Sequence, residues 1–343
     1  MISYIVRRLL ILPLILIGIT LIIFGMMMML SPYQRVSTYI SGPEELRNVD
    51  IDQLVERYGL DDPFHIQYGR WFSGLIKGDL GWSESAGMPV TQALSSRFPA
   101  TLELALYAIL PVLLGGIYLG VFSAVHHNDF WDHLTRIFAI AGWSIPTFVA
   151  GLIILMIFYG VLGWFPPGRL TNSAREIVMA EEFIRYTNLN SIDALLNLNF
   201  KVFFDSLRHI IAPVITVSIL WWAYILRITR SSMLETLRKD YIRTARSKGL
   251  KENVVINKHA RRNALVPVVT VAGPMLMGLL GGLVITESVF AYQGLGRFTA
   301  TAAQQLDYPA VLGSAIYFGF LLVIANLTVD VSYAIIDPRI RLE

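Results

Sequence analysis

The chain of 343 residues contains no cysteine. That excludes disulfides, thiolate metal sites and a cysteine nucleophile. Charge is scarce too: 15% of residues are charged, against roughly 25% in an ordinary soluble domain. The charges are also uneven and leave long uncharged runs. A soluble core of this length cannot absorb such runs, so they call for surrounding hydrocarbon. No G-x-x-x-x-G-K-[ST] phosphate loop, H-E-x-x-H or G-x-S-x-G occurs, which removes the usual nucleotide, zinc-protease and serine-hydrolase signatures. His126, His127 and His133 share one turn, but Asn128, Asp129 and Asp132 beside them suit a plain solvated loop. There is no fixed-period repeat and no low-complexity tract. The composition is 55% hydrophobic, and the expected class is an all-α integral membrane protein.

Six runs are long enough to cross a bilayer, which takes about 20 apolar residues as a helix. They are Leu9–Leu30, Ala100–Val125, Ile137–Trp164, His209–Leu226, Ala264–Thr286 and Tyr308–Val329. The first is too long for a signal-peptide core and lacks a small-residue cleavage site, so it reads as a retained helix. Lys and Arg in the short loops orient the chain. With both termini inside, the inner segments hold 16 of the 28 basic residues, 11 of them in 227–263. Glu103, Glu287 and Asp330 fall near span ends, where a carboxylate reaches the interface. No charge lies near a span centre, which argues against a proton- or ion-coupled transporter.

Two outer segments exceed the needs of a turn. In 31–99, "DIDQLVERYGLDDP" reads as a short helix ending at Gly59. Phe64, Tyr68, Trp71, Phe72, Leu75 and Ile76 recur at helical spacing, with Gly78 as the stop; this pattern predicts a helix at the membrane–water interface. Segment 165–208 should hold short helices. Within the spans, Ser144, Pro146 and Thr147 of "GWSIPTF" and the small-xxx-small pair Gly278/Gly282 suit close helix packing as well as the lining of a pathway. Glu287, at a span end, joins them as a candidate pathway or gate residue.

The inner stretch "DYIRTARSKGLKENVVINKHARRN" carries seven basic residues against Asp240 and Glu252. One aromatic, Tyr241, and no module pattern speak against nucleic acid. Its sequence predicts two short helices meeting at Gly249. Val254, Val255 and Ile256 would form an exposed apolar knob ringed by cations, a suitable partner site. A purely topological role, anchoring the loop inside, is the plainer alternative.

"DYIRTARSKGL" followed by "HARRNALVPVVT" resembles the cytoplasmic loop of ABC-importer permeases, and most closely the B-type permease of the dipeptide/oligopeptide family. "YIVRRLLILPLILIGIT", "LVERYGLDDPFHIQYGRWFSGLIKGDLGWS", "FPATLELAL", "SIPTF", "LGWFPPG", "RHIIAPVIT" and "TESVFAYQGLGR" extend the resemblance in order over nearly the whole chain. The usual Glu-Ala-Ala of the loop is here Arg243, Thr244, Ala245, and "LSPYQRV" replaces the usual start of the outer segment.

The resemblance implies a six-helix type I importer permease with an external helical segment between the first two spans. It divides into 1–30, an external 31–96, a transmembrane core 97–336 and a tail 337–343. It implies a coupling loop built on Arg243, Thr244, Ala245, Lys248, Gly249, Val254, Val255 and Ile256. The partners would be a homologous permease, two cytosolic ATPases that bind ATP and Mg, an extracytoplasmic solute-binding protein and the lipid of a prokaryotic plasma membrane. The chain itself would hold no cofactor and be no enzyme. The cargo would be peptides, oligosaccharides or nickel complexes, moved by alternating access. An ATPase-independent channel or secondary transporter is the alternative.

Overall fold

The computed structural model describes residues 2–36, 51–280 and 283–336. In chain order the helices are α1 (Ile2–Met27), α2 (Pro32–Val36), α3 (Ile51–Tyr58), α4 (Phe64–Ile76), α5 (Val90–Val125), α6 (Phe130–Ser144), α7 (Thr147–Leu155), α8 (Asn172–Met179), α9 (Asn190–Leu196), α10 (Phe200–Leu237), α11 (Asp240–Ser247), α12 (Glu252–Val254), α13 (Arg261–Ala264), α14 (Val266–Leu280), α15 (Val284–Val289), α16 (Leu295–Gln304) and α17 (Tyr308–Ile336). Two π-helical stretches, Met156–Val161 and Val255–Ala260, continue α7 and join α12 to α13. A two-residue hairpin, β1 (Trp82–Ser83) and β2 (Met88–Pro89), precedes α5.

By length and hydropathy, three helices among the described residues suffice to cross a membrane: Val90–Val125, Phe200–Leu237 and Tyr308–Leu327. The predicted third span is not one rod. It is two helices, Phe130–Ser144 and Thr147–Val161, bent by 104°. Pro146 causes the break. The residue before a proline is pushed out of the α region, and Ile145 is extended at φ −81°, ψ 122°. The predicted fourth span is a part of the longer α10, because nothing in 200–208 or 227–237 stops the helix. The predicted fifth run is divided between α14 and α15. Gly282 lies outside the described residues.

The described chain packs as two compact units. One comprises the described residues within 1–101, 280–284 and 293–336. In it α17 packs along α1, where a Cβ on Gly319 would lie 3.2 Å from Ile19. The helix predicted from the aromatic spacing is α4, and α3 is likewise as expected. Part of the aromatic face of α4 packs on protein: Phe64, Tyr68 and Trp71 surround Phe24 of α1 with centroids 5.2–5.4 Å apart, although Phe64 stays 43% exposed. Val90, Ala93, Leu94, Leu295, Phe298, Ala302 and Ala310 form a buried core. Asp307 accepts from the Ser83 and Ser85 hydroxyls and the Ser85 amide at 2.6–3.0 Å.

The second unit, 102–279 with 285–292, is organised on α10. The approach of α5 to α10 is set by glycines. A Cβ on Gly116 would lie 2.7 Å from Ile225 Cβ; one on Gly120 would lie 2.5 Å from Thr229 Cβ and 2.9 Å from the Leu226 carbonyl. Glycines four apart remove the side chains that would hold the two backbones apart. At Gly278, which the sequence singled out, a Cβ would meet only Trp221, at 3.7 Å. The predicted short helices of 165–208 are α8 and α9, packed with the start of α10 through Leu170, Ala174, Val178, Phe183, Ala194 and Val202.

Candidate functional site

The basic stretch forms an elbow. Asp240 is in the first turn of α11 and Arg246 in the last, each placed favourably for the helix dipole. The chain reverses at Gly249, with φ +76° and nothing within 4 Å of a Cβ placed there. The space is therefore ample and the backbone alone requires glycine, since other L residues reach that region at a cost. Lys251 then leads into α12 and the π-helical stretch.

The elbow has its own core. Ile242, Ala245, Val255, Ala260 and Ala264 are buried with Ala124 and Met233, and Ile256 packs against them. This corrects the expected knob. Val255 is 0% exposed and holds the elbow together; it is not on the outer face. One residue in a helix turns the side chain by about 100°, so adjacent apolar residues cannot all face out. The apolar side chains that do face out are Tyr241, Leu250 and Val254, at 43%, 40% and 38% exposure. Arg243, Thr244 and Lys248 are exposed beside them, and Ala245 is buried. Arg246 donates from Nε and Nη2 to Glu252 at 3.1 and 2.6 Å, tying the two arms. That hydrogen bonding holds the Glu252 carboxyl below its usual range.

At the root of the elbow is a buried carboxylate that no local pattern announces. Asp132 is 0% exposed. Arg230 donates from Nε and Nη2 to its two oxygens, both at 2.7 Å. Ser123 Oγ and the Asn128 amide donate as well, at 2.6 and 3.0 Å. The turn thought to be solvated is thus a clamp joining the ends of α5, α6 and α10. His126 turns its Nδ1 to the Phe122 carbonyl, 2.9 Å away.

A second buried carboxylate sits near the other end of α5. Glu103, expected at the interface, is 1% exposed. It accepts from the Ser191 amide and hydroxyl, both at 2.7 Å, from Arg169 Nη2 at 2.9 Å and from the Tyr292 hydroxyl at 3.3 Å. The Tyr292 hydroxyl is pushed up in pKa, chiefly by burial. Glu287 is buried as well, so it too departs from the expected interfacial place.

Two cavities open along α6 and α10. One of about 670 Å³ is walled by Trp143, Trp221 and Tyr224 with Pro146, Thr147, Pro274 and Met275. The structure thus brings Pro146 and Thr147 to one cavity. Ser144 lines the neighbouring cavity and donates to the Ile140 carbonyl at 2.8 Å. Gly278 and Glu287 line neither.

Sequence comparison identifies the family. Residues 116–342 match the family described as binding-protein-dependent transport system inner membrane component. Residues 1–105 match its N-terminal companion. The chain belongs to this family. Among relatives of these inner membrane components, the probable D,D-dipeptide transport system permease of Escherichia coli is 44% identical over 290 residues, 84% of each chain. The dipeptide transport system permease of Alkalihalophilus pseudofirmus is 36% identical over 99% of this chain and 100% of its own. The oligopeptide transport system permease of Bacillus subtilis is 37% identical over the same shares. The protein is therefore a membrane-embedded transport component, and its family works with a binding protein.

Proposed function

We propose that this chain is one of two homologous permease subunits of an ATP-driven importer of peptides, embedded by six spans in a prokaryotic plasma membrane with both termini in the cytoplasm. Two ATPase subunits bind ATP and Mg; the chain carries no resident cofactor and no catalytic group. A solute-binding protein delivers cargo from outside, and alternating access moves it. The peptide class follows the names of the relatives. The aromatic cavity along α6 and α10 is the candidate pathway.

The observation that carries this reading is the elbow. Its inner face is consumed by its own core, and its outer face still offers Tyr241, Leu250 and Val254 between cations. Seating such a face in an ATPase cleft contributes through apolar burial, about 1.5–3 kcal/mol per large side chain. The test is co-purification of the ATPases and coupling of their hydrolysis to uptake in vesicles. Leu250→Ser/Val254→Ser is expected to release the ATPases or uncouple them while the subunit still inserts. Normal coupling would leave the loop with only its topological role. Uptake by the chain without ATPases would favour a self-sufficient transporter. Orientation is checked separately: an impermeant thiol reagent on intact cells should label Met179→Cys, a 69% exposed position, and spare Ser247→Cys.

A further inference from the structure

The cavity beside the aromatic one has a different chemistry. It encloses about 970 Å³ between α6 and the lower part of α10. Five cations line it: Arg136, Arg227, Arg230, Arg238 and Lys239. Arg230 is committed to Asp132, and Lys239 pairs with Glu235 at 2.8 Å. Arg136, Arg227 and Arg238 have no carboxylate within ion-pair distance among the described residues. Arg227 instead lies over the Trp143 ring, 5.3 Å from its centroid. The three converge on one concave space at the end of the spans, where like charges raise each other's energy unless an anion enters.

The wall next to these cations is apolar. Ile140 and Trp143 of α6 line it, are 65% and 58% exposed, and form a stripe leading away from Arg136. Cations at the mouth and an apolar stripe behind them match an amphiphile with an anionic head. A soluble anion would gain nothing from the stripe, and a zwitterionic lipid would gain little from three unpaired guanidinium groups. Basic pockets between spans on the cytoplasmic side are suited to anionic headgroups. We infer that this cavity binds an anionic phospholipid of the phosphatidylglycerol type, its phosphodiester on Arg136, Arg227 and Arg238 and its acyl chain along Ile140 and Trp143. Arg238 immediately precedes Lys239 and the coupling helix α11, so an occupied site steadies the root of the elbow. The inference rests on the orientation proposed above, which the cysteine labelling tests independently of lipid.

The experiment uses the full chain in a neutral detergent and follows its melting temperature against added dioctanoyl phosphatidylglycerol. The same series is run with dioctanoyl phosphatidylcholine, inorganic phosphate and a dipeptide. The anionic lipid alone should raise the melting temperature. In Arg136→Gln/Arg227→Gln/Arg238→Gln its apparent affinity should fall about a hundredfold, the product of three such cations near an anionic headgroup. Ile140→Trp, which narrows the apolar wall and keeps every cation, should weaken the lipid as well. Equal shifts by phosphatidylcholine, or unchanged affinity in either variant, would overturn the site. A shift reproduced by phosphate would make it a free-anion site, and competition by the dipeptide would make it part of the cargo path; either result defeats the lipid assignment.

Discussion

Two buried carboxylates, Glu103 on α5 and Asp132 on α6, do similar work in unlike ways. Glu103 is enclosed: its oxygens accept from Arg169, Ser191 and Tyr292, which come from three separate stretches of chain. Asp132 is held mainly by one arginine in a two-pronged pair, and that arginine lines an open cavity. Losing the carboxylate leaves Arg169 held against the Tyr292 ring, 5.6 Å from its centroid. Arg230 needs only to swing toward water. A tie of the first kind fixes geometry, whereas one of the second kind can open and re-form.

The sharpest way to break this comparison is substitution of the carboxylates by their amides. Glu103→Gln sets an amide donor against Arg169 and should lower stability by about 3–5 kcal/mol, the usual cost of orphaning a buried ion. It should appear as a large drop in melting temperature in detergent. Asp132→Asn should cost less, about 1–3 kcal/mol. Equal losses would show that Arg230 is as trapped as Arg169. Gly120→Leu tests whether the Asp132 end depends on backbone approach. The new side chain meets the Leu226 carbonyl and should cost about 1–3 kcal/mol or more by overpacking, whereas Gly278→Leu should be milder because only Trp221 is near.

The exposed pair Arg246–Glu252 supplies the lower limit. Glu252→Gln should change stability by about 1 kcal/mol or less. Because the folded carboxyl titrates below its ordinary value, the pair's contribution is present above the usual glutamate range. It fades as pH falls through the lowered folded value. A melting profile of the variant that differs from the parent equally at acid and neutral pH would remove the pair from the account.

Much of the fold was legible because local rules set it. The aromatic spacing of 64–76, the helix of 240–247 and the left-handed turn at Gly249 all follow from helical period and glycine stops. Pro146 was visible, but its effect was not: a proline kinks one helix and divides another, depending on whether neighbouring groups satisfy the freed backbone. Three consecutive apolar residues give no phase, so the sequence alone cannot tell that Val255 faces inward; only the packing of Ile242 and Ala260 against it fixes the rotation. Gly116 and Gly120 carried a readable small-residue signal, with spacing like that of Gly278 and Gly282. Nothing local says which such pair meets a partner helix.

By itself, the sequence determined that this is a membrane chain of the binding-protein-dependent permease family, with a basic elbow hinged at Gly249. Hydropathy, charge bias and ordered motifs are properties of residues and their near neighbours, so they survive in one dimension. Only the tertiary structure decided where the acids went. Glu103 looked interfacial and Asp132 looked solvated because their charged partners, Arg169 and Arg230, lie 66 and 98 residues away. A buried charge is stable only beside its counter-charge and donors, and which distant residues supply them is settled by packing.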